Sequence, residues 1–273
     1  MRVFKVGMVV ATAAAVVTFS LSARAASLAS DNASDAAYSG GVINGNNGGT
    51  GWGGAWVETA ENGPNGSGSF IGDSTSNAGG GSGGINSVGN KAWGTYANTN
   101  SNVGGNTVSL VRPFTGDLSI GQTFSIDFDN GWIDNGTVGL GLQNAGGQNR
   151  VEFFFVGGGA NYTIQTASGL DTGIGFTGNG LHLDFVLTGT DSMDVKVTPL
   201  NPTGSTSTFS VTLNNSGGID RVRLFNYNSN GNGNSPTSNY DAFYNNMSII
   251  PEPTTFGLVG LGLLGALALR RRK

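Results

Sequence analysis

From Thr107 onward the chain alternates apolar and polar positions with a period of two, the mark of strands that bury one face. Val108, Leu110 and Arg112 alternate with Ser109 and Val111; Phe124, Ile126 and Phe128 alternate with Ser125, Asp127 and Asp129. Val138, Leu140 and Leu142 follow, separated by glycines, and then Val151 to Val156, which is apolar on both faces and reads as a central strand. Further runs centre on Ile164, on Leu181 to Leu187, on Val195, on Val211 and on Leu224, and a closing run extends from Tyr240 to Ile250. That makes about ten strands, punctuated by Gly, Asn, Asp and Thr turns, with no helical periodicity sustained over three turns. The pattern predicts an all-β fold, an antiparallel β-sandwich or jelly roll, because each alternating strand leaves one apolar face to bury.

The stretch from Asp31 to Asn106 carries a weaker signal. It is rich in Gly, Asn and Ser but punctuated by Tyr38, Trp52, Trp56, Phe70, Trp93 and Tyr96, which a pure linker would lack. Residues 26–106 are therefore expected to be the loop-rich part of one domain spanning 26–250, with Asn77 to Gly84 its most flexible segment.

Two segments flank that domain. Arg2 and Lys5 precede an apolar run from Val6 to Leu21 and then Ala23-Arg24-Ala25, so residues 1–25 read as a signal peptide with an N-terminal signal helix, cleaved after Ala25 following export through the translocon. At the other end, Pro251-Glu252-Pro253 leads into the uncharged stretch Thr254 to Leu269, and the chain closes on Arg270, Arg271, Arg272 and Lys273. The prolines keep their surroundings extended and out of any helix. As a transmembrane helix the 16-residue stretch would span about 24 Å, slightly less than the roughly 30 Å of bilayer hydrocarbon. The four terminal cations would stay on the cytoplasmic side and leave the large domain outside.

In order, spacing and position this tail resembles the PEP-CTERM sorting signal of Gram-negative bacteria. The resemblance covers residues 251–273 and implies recognition by exosortase, an integral-membrane cysteine protease-like enzyme, with cutting near Pro251-Glu252-Pro253. It implies transient membrane anchoring followed by delivery to the cell surface or extracellular matrix, and it says nothing of what the delivered domain does.

Between the two cleavable ends lie 16 acidic and six basic residues, a net charge of about −10. That balance disfavours nucleic acid, whose phosphates call for clustered cations. Cysteine is absent, which excludes disulfides, thiol nucleophiles and thiolate metal sites from an exported chain.

Candidate chemistry is sparse. The domain holds three glutamates: Glu58 and Glu61 in a loop-like segment, and Glu152 beside Arg150. No E-x-D-x-x-E pattern supplies the paired carboxylates of a glycan hydrolase. His182 is the single imidazole and reads as a surface side chain on a strand. Gly80 to Gly84 matches G-x-S-x-G, and Gly173 to Gly178 matches G-x-G-x-x-G, but neither has the strand-to-helix setting those motifs need. Asp127, Asp129 and Asp134, with Asn130 and Asn135, gather enough oxygen donors for a calcium ion without matching a known loop spacing. Trp52 and Trp93 could offer a sugar-stacking platform, core packing being the alternative.

The segments GQTFSIDFDNG, RVEFFFVGGG, GLHLDFVLTGTDSMDVKV and DAFYNNMSI resemble strands of concanavalin-A-like or laminin-G-like jelly rolls. The resemblance implies glycan or protein binding in some relatives and glycan hydrolysis in others. Taken together, the chain is expected to be a non-enzymatic surface or matrix protein associated with exopolysaccharide. A lectin-like module and a glycan hydrolase are the alternatives.

Overall fold

A computed structural model describes residues 27–61, 66–76, 84–97, 106–133, 135–227 and 241–251. The signal region, the tail beyond Pro251, the glycine run at 77–83 and Asp134 lie outside the described residues. Among the described residues fifteen strands form. The first four are β1 (Ala29–Asp31), β2 (Val57–Glu61), β3 (Ser67–Gly72) and β4 (Ala92–Ala97). The next six are β5 (Thr107–Pro113), β6 (Thr123–Asn130), β7 (Thr137–Gln143), β8 (Asn149–Val156), β9 (Asn161–Gln165) and β10 (Gly169–Gly175). The last five are β11 (Leu181–Gly189), β12 (Ser192–Pro199), β13 (Ser207–Thr212), β14 (Arg221–Tyr227) and β15 (Ala242–Ile250). Among the described residues there is no α-helix, and no helix is long and apolar enough to cross a membrane.

The strands make two antiparallel sheets. One runs β13-β12-β11-β6-β15-β4-β3, with β1 also on β15; the other runs β10-β9-β8-β7-β14-β5-β2. The core-facing positions follow the alternation, although β6 and β7 are buried on both faces over most of their length. Phe124, Ile126 and Phe128 of β6 and Leu181, Leu183 and Phe185 of β11 meet Val138, Leu140, Val151, Phe153 and Leu224 of the second sheet in one core. Burial of these side chains supplies the main stabilising force, at about 1.5–3 kcal/mol for each large apolar side chain.

Polar staples cross that core. The Tyr244 hydroxyl of β15 reaches the carbonyls of Gly139 (2.8 Å) and Phe225 (3.0 Å) in the opposite sheet. Asn226 donates to the Thr95 carbonyl at 3.1 Å, and Tyr162 donates to Asn130 at 2.9 Å. Such buried groups cost free energy unless paired, so each pairing fixes how the two sheets face one another.

One sequence expectation is corrected. Glu58 and Glu61 sit on the edge strand β2, not in a loop, and Ser69 donates to the Glu58 carboxylate. Gly173 of the G-x-G-x-x-G match lies within β10, where the register slips between Asp171 and Gly175 and Gly173 takes φ 66°. The short strand β1 carries too few residues for periodicity to reveal it.

Candidate functional site

The outward face of the first sheet carries a polar cluster set by strand register. Asp127 stands opposite His182, and Ser125 opposite Asp184. On the other flank Asn245 stands opposite Asp127, after which β15 bulges and Asn246 takes φ 51°. That left-handed residue turns its amide onto Asp127 Oδ2 at 2.7 Å. The imidazole bridges both carboxylates, with Nδ1 2.6 Å from Asp127 Oδ1 and Nε2 3.2 Å from Asp184 Oδ1. Ser125 donates to the same Asp184 oxygen at 2.5 Å.

These contacts decide what His182 can do. The hydrogen bond with Asp127, then that with Asp184, raises its pKa to about 10 against the opposing effect of burial. Burial pushes the Asp184 carboxyl up, but the hydrogen bonds from His182 and Ser125 more than offset it and leave it below the usual value. The ring is therefore an imidazolium at neutral pH, with both nitrogens donating. In that form both ring nitrogens are engaged by the flanking carboxylates.

The outward face of the second sheet is different in kind. Here β14, β7 and β8 lie side by side, so Arg223, Gly141 and Glu152 form one row and Phe225, Gly139 and Phe154 the next. Tyr227, Thr137 and Val156 complete the lane. Glycine at 141 is what lets the outer two residues meet: Arg223 Nη2 is 2.6 Å from Glu152 Oε1, and a Cβ on Gly141 would stand 3.0 Å from Glu152 Cγ. The guanidinium also lies 4.8 Å over the Phe225 ring and 5.7 Å from that of Tyr227, and the two rings stack at 4.9 Å. Burial raises the Glu152 pKa, with the Arg223 charge opposing it. Phe225 is 2% exposed beneath these groups, so the rings the lane presents are the half-buried Phe154 and Tyr227, beside the hydrogen-bonding Arg223 and Glu152, a combination that sugar faces and hydroxyls match.

The residues expected to carry function fall as follows. Trp93 is fully buried and packs edge-on against Tyr38 and Trp56; Trp52 is 9% exposed and packs against Phe114. The Arg112 guanidinium occupies the space over Trp52 (5.0 Å) and Trp56 (5.4 Å), so these rings face protein rather than solvent. Core packing, the alternative for these tryptophans, is where the structure puts them. Asp127 is engaged by His182 and Asn246, Asp129 is buried near the end of β6, and Asp134 lies outside the described residues. Among the described residues no three His, Asp or Glu side chains converge as a metal-binding group. Ala23, Ala25, Glu252, Pro253 and Arg270 to Lys273 also lie outside them; Pro251 directly follows β15.

Two features had no sequence signal. Asp31, Arg112, Tyr38 and Trp56 form a buried network in which Arg112 pairs with Asp31 and Trp56 Nε1 donates to the Tyr38 hydroxyl at 3.1 Å. Asp241, at the head of β15, is buried, and burial raises its pKa to about 8.

Residues 250–273 match the PEP-CTERM protein-sorting motif. The motif implies export, transient membrane anchoring and processing by an exosortase before display at the cell surface. No curated protein matches the chain by sequence. Among solved structures, a carbohydrate esterase from Shiga toxin-encoding bacteriophage phi24B is similar at 12% identity and TM-score 0.46, over 84% of this chain and 99% of that one. A sialidase is similar at 10% identity and TM-score 0.41, over 60% of this chain but only 16% of its own length. A Caenorhabditis elegans galectin is similar at 11% identity and TM-score 0.36, over 56% of this chain and 94% of that one. At that level of likeness none of them carries a functional argument.

Proposed function

We propose that the chain is the precursor of a non-enzymatic cell-surface or extracellular-matrix protein that associates with exopolysaccharide. The observation that carries this reading is the sorting motif at 250–273, which starts on the last residue of a fully formed β-sandwich. The translocon and signal peptidase handle residues 1–25, and exosortase handles the tail. Glu152, the best acid–base candidate, is held in an ion pair with Arg223, and His182 is held between two aspartates, which supports a binding role over a catalytic one.

A second reading is a lectin-like module, favoured by the Arg223, Glu152, Phe154 and Tyr227 lane. The deciding experiment follows mass and location of the protein in its own host, with and without Glu252→Ala and with the terminal Arg cluster removed. The processed domain is then passed over immobilised exopolysaccharide. A product starting near Ala26 and lacking about the last 20 residues, retained on the glycan, supports the proposal. A full-length C-terminus kept in the inner membrane, or a processed domain that ignores the glycan, overturns it. Retention abolished by Tyr227→Ala in a folded domain would select the lectin reading.

A further inference from the structure

The two ends of the sandwich strands that border the processed segments are neighbours. In the antiparallel pair of β1 and β15, Ala29 stands opposite Ile249, Ser30 opposite Ser248 and Asp31 opposite Met247. Leu28 N donates to the Ile249 carbonyl at 2.8 Å, and Ser27 Oγ to the same oxygen at 3.0 Å. On the other flank β6 holds β15 through its final residue, with Thr123 opposite Ile250. The chain therefore enters at Ser27 and leaves at Pro251 through the same end of the sandwich. Both departures are from paired backbone, with no slack.

The tether on that end is short. Only Pro251, Glu252 and Pro253 separate Ile250 from the apolar stretch that starts at Thr254, a reach of at most about 14 Å for four extended steps. An anchored tail would thus hold this end of the sandwich against the bilayer, and only this end. The surface there suits the position. Leu28 is 53% exposed and Ile120, in the turn between β5 and β6, is 54% exposed. Leu28 also rims a cavity of about 380 Å³ whose lining includes Ala29, Phe114, Asp117, Gln122 and Ile249. Trp132 and Val156, also exposed, lie at the opposite end, where β6 finishes and β8 finishes. The same short tether makes any lipid contact intramolecular and so raises its effective concentration.

We propose that in the unprocessed precursor this end of the folded sandwich is seated on the lipid surface of the inner membrane through Leu28 and Ile120. Exosortase then cuts the tail at the foot of an already folded domain, and the Trp132 and Val156 end points outward. The proposal rests on the reading of residues 254–269 as a membrane anchor.

The test uses the full chain in membranes of a host without exosortase, where the tail is retained. Because cysteine is absent, Ile120→Cys and Val156→Cys each give a single labelling site for an environment-sensitive fluorophore. Vesicles containing nitroxide-labelled lipid should quench the label at 120 at least about threefold more than the label at 156. Equal quenching at the two sites, with the precursor resistant to alkaline extraction, overturns the seating and leaves the anchor reading intact. A precursor that alkali extracts from the membrane overturns both.

Discussion

The Arg112 guanidinium donates to the Asp31 carboxylate across 81 residues of sequence, and neither side chain is exposed to solvent. Tyr38 donates to the same Asp31 oxygen at 2.5 Å, while Arg112 also reaches Asn47 at 2.8 Å and the Gly48 carbonyl at 2.6 Å. The pair ties the short strand β1 to β5 of the opposite sheet. It thereby fixes the edge from which both chain ends depart.

Arg112→Met should destabilise the domain by about 3–5 kcal/mol, because it leaves the Asp31 carboxylate buried without a cation. Chemical denaturation measures this, and Asp31→Asn in the same chain should restore part of the loss. A change below about 1 kcal/mol would show that the pair contributes nothing beyond its burial cost.

Trp93→Ala should act on stability, costing about 3–5 kcal/mol as a cavity in a packed core. Any glycan retention, measured on the folded fraction, should remain. Tyr227→Ala should show the reverse pattern, reducing retention while the urea midpoint moves little.

His182 gives a pH signature. Its folded pKa of about 10 lies above the unfolded value near 6.5, so its stabilising contribution is complete below about pH 6.5 and is lost as pH rises through about 10. The melting temperature of the native domain minus that of His182→Gln should shrink across that window. A difference that stays constant from pH 6 to 11 would mean that the imidazole is not charged in the cluster.

Asp241 should work in the same direction and more strongly. Its folded pKa of about 8 exceeds the unfolded carboxylate value, so keeping the buried carboxyl neutral costs nothing in acid and progressively more as pH rises to 8. Asp241→Asn removes that titration and should stabilise the domain increasingly from pH 4 to 8. From about 1.36 kcal/mol per pKa unit, the gain at pH 7 is on the order of 4 kcal/mol, readable by denaturation at pH 5 and pH 7.

The alternating strands were legible because period two is a local property: residues 124–129 and 181–187 declare their inward and outward faces without reference to any partner. The sites were legible only in part. Asp127 and His182 could each be singled out, yet their pairing depends on β6 and β11 being neighbours across 55 residues. The tryptophans show the converse. Their spacing among glycines fits a loop platform, and only the arrival of Arg112 from another strand accounts for them as the walls of a buried cation.

By itself the sequence determined the all-β class, the acidic cysteine-free composition and the sorting tail, because each is written in contiguous residues whose chemistry needs no partner. Only the tertiary structure decided that Arg223 meets Glu152 over Gly141, that His182 is held between Asp127 and Asp184, and that β1 lies beside β15. Those relations come from strand order and register, and alternation along one strand carries no information about which strand will lie next to it.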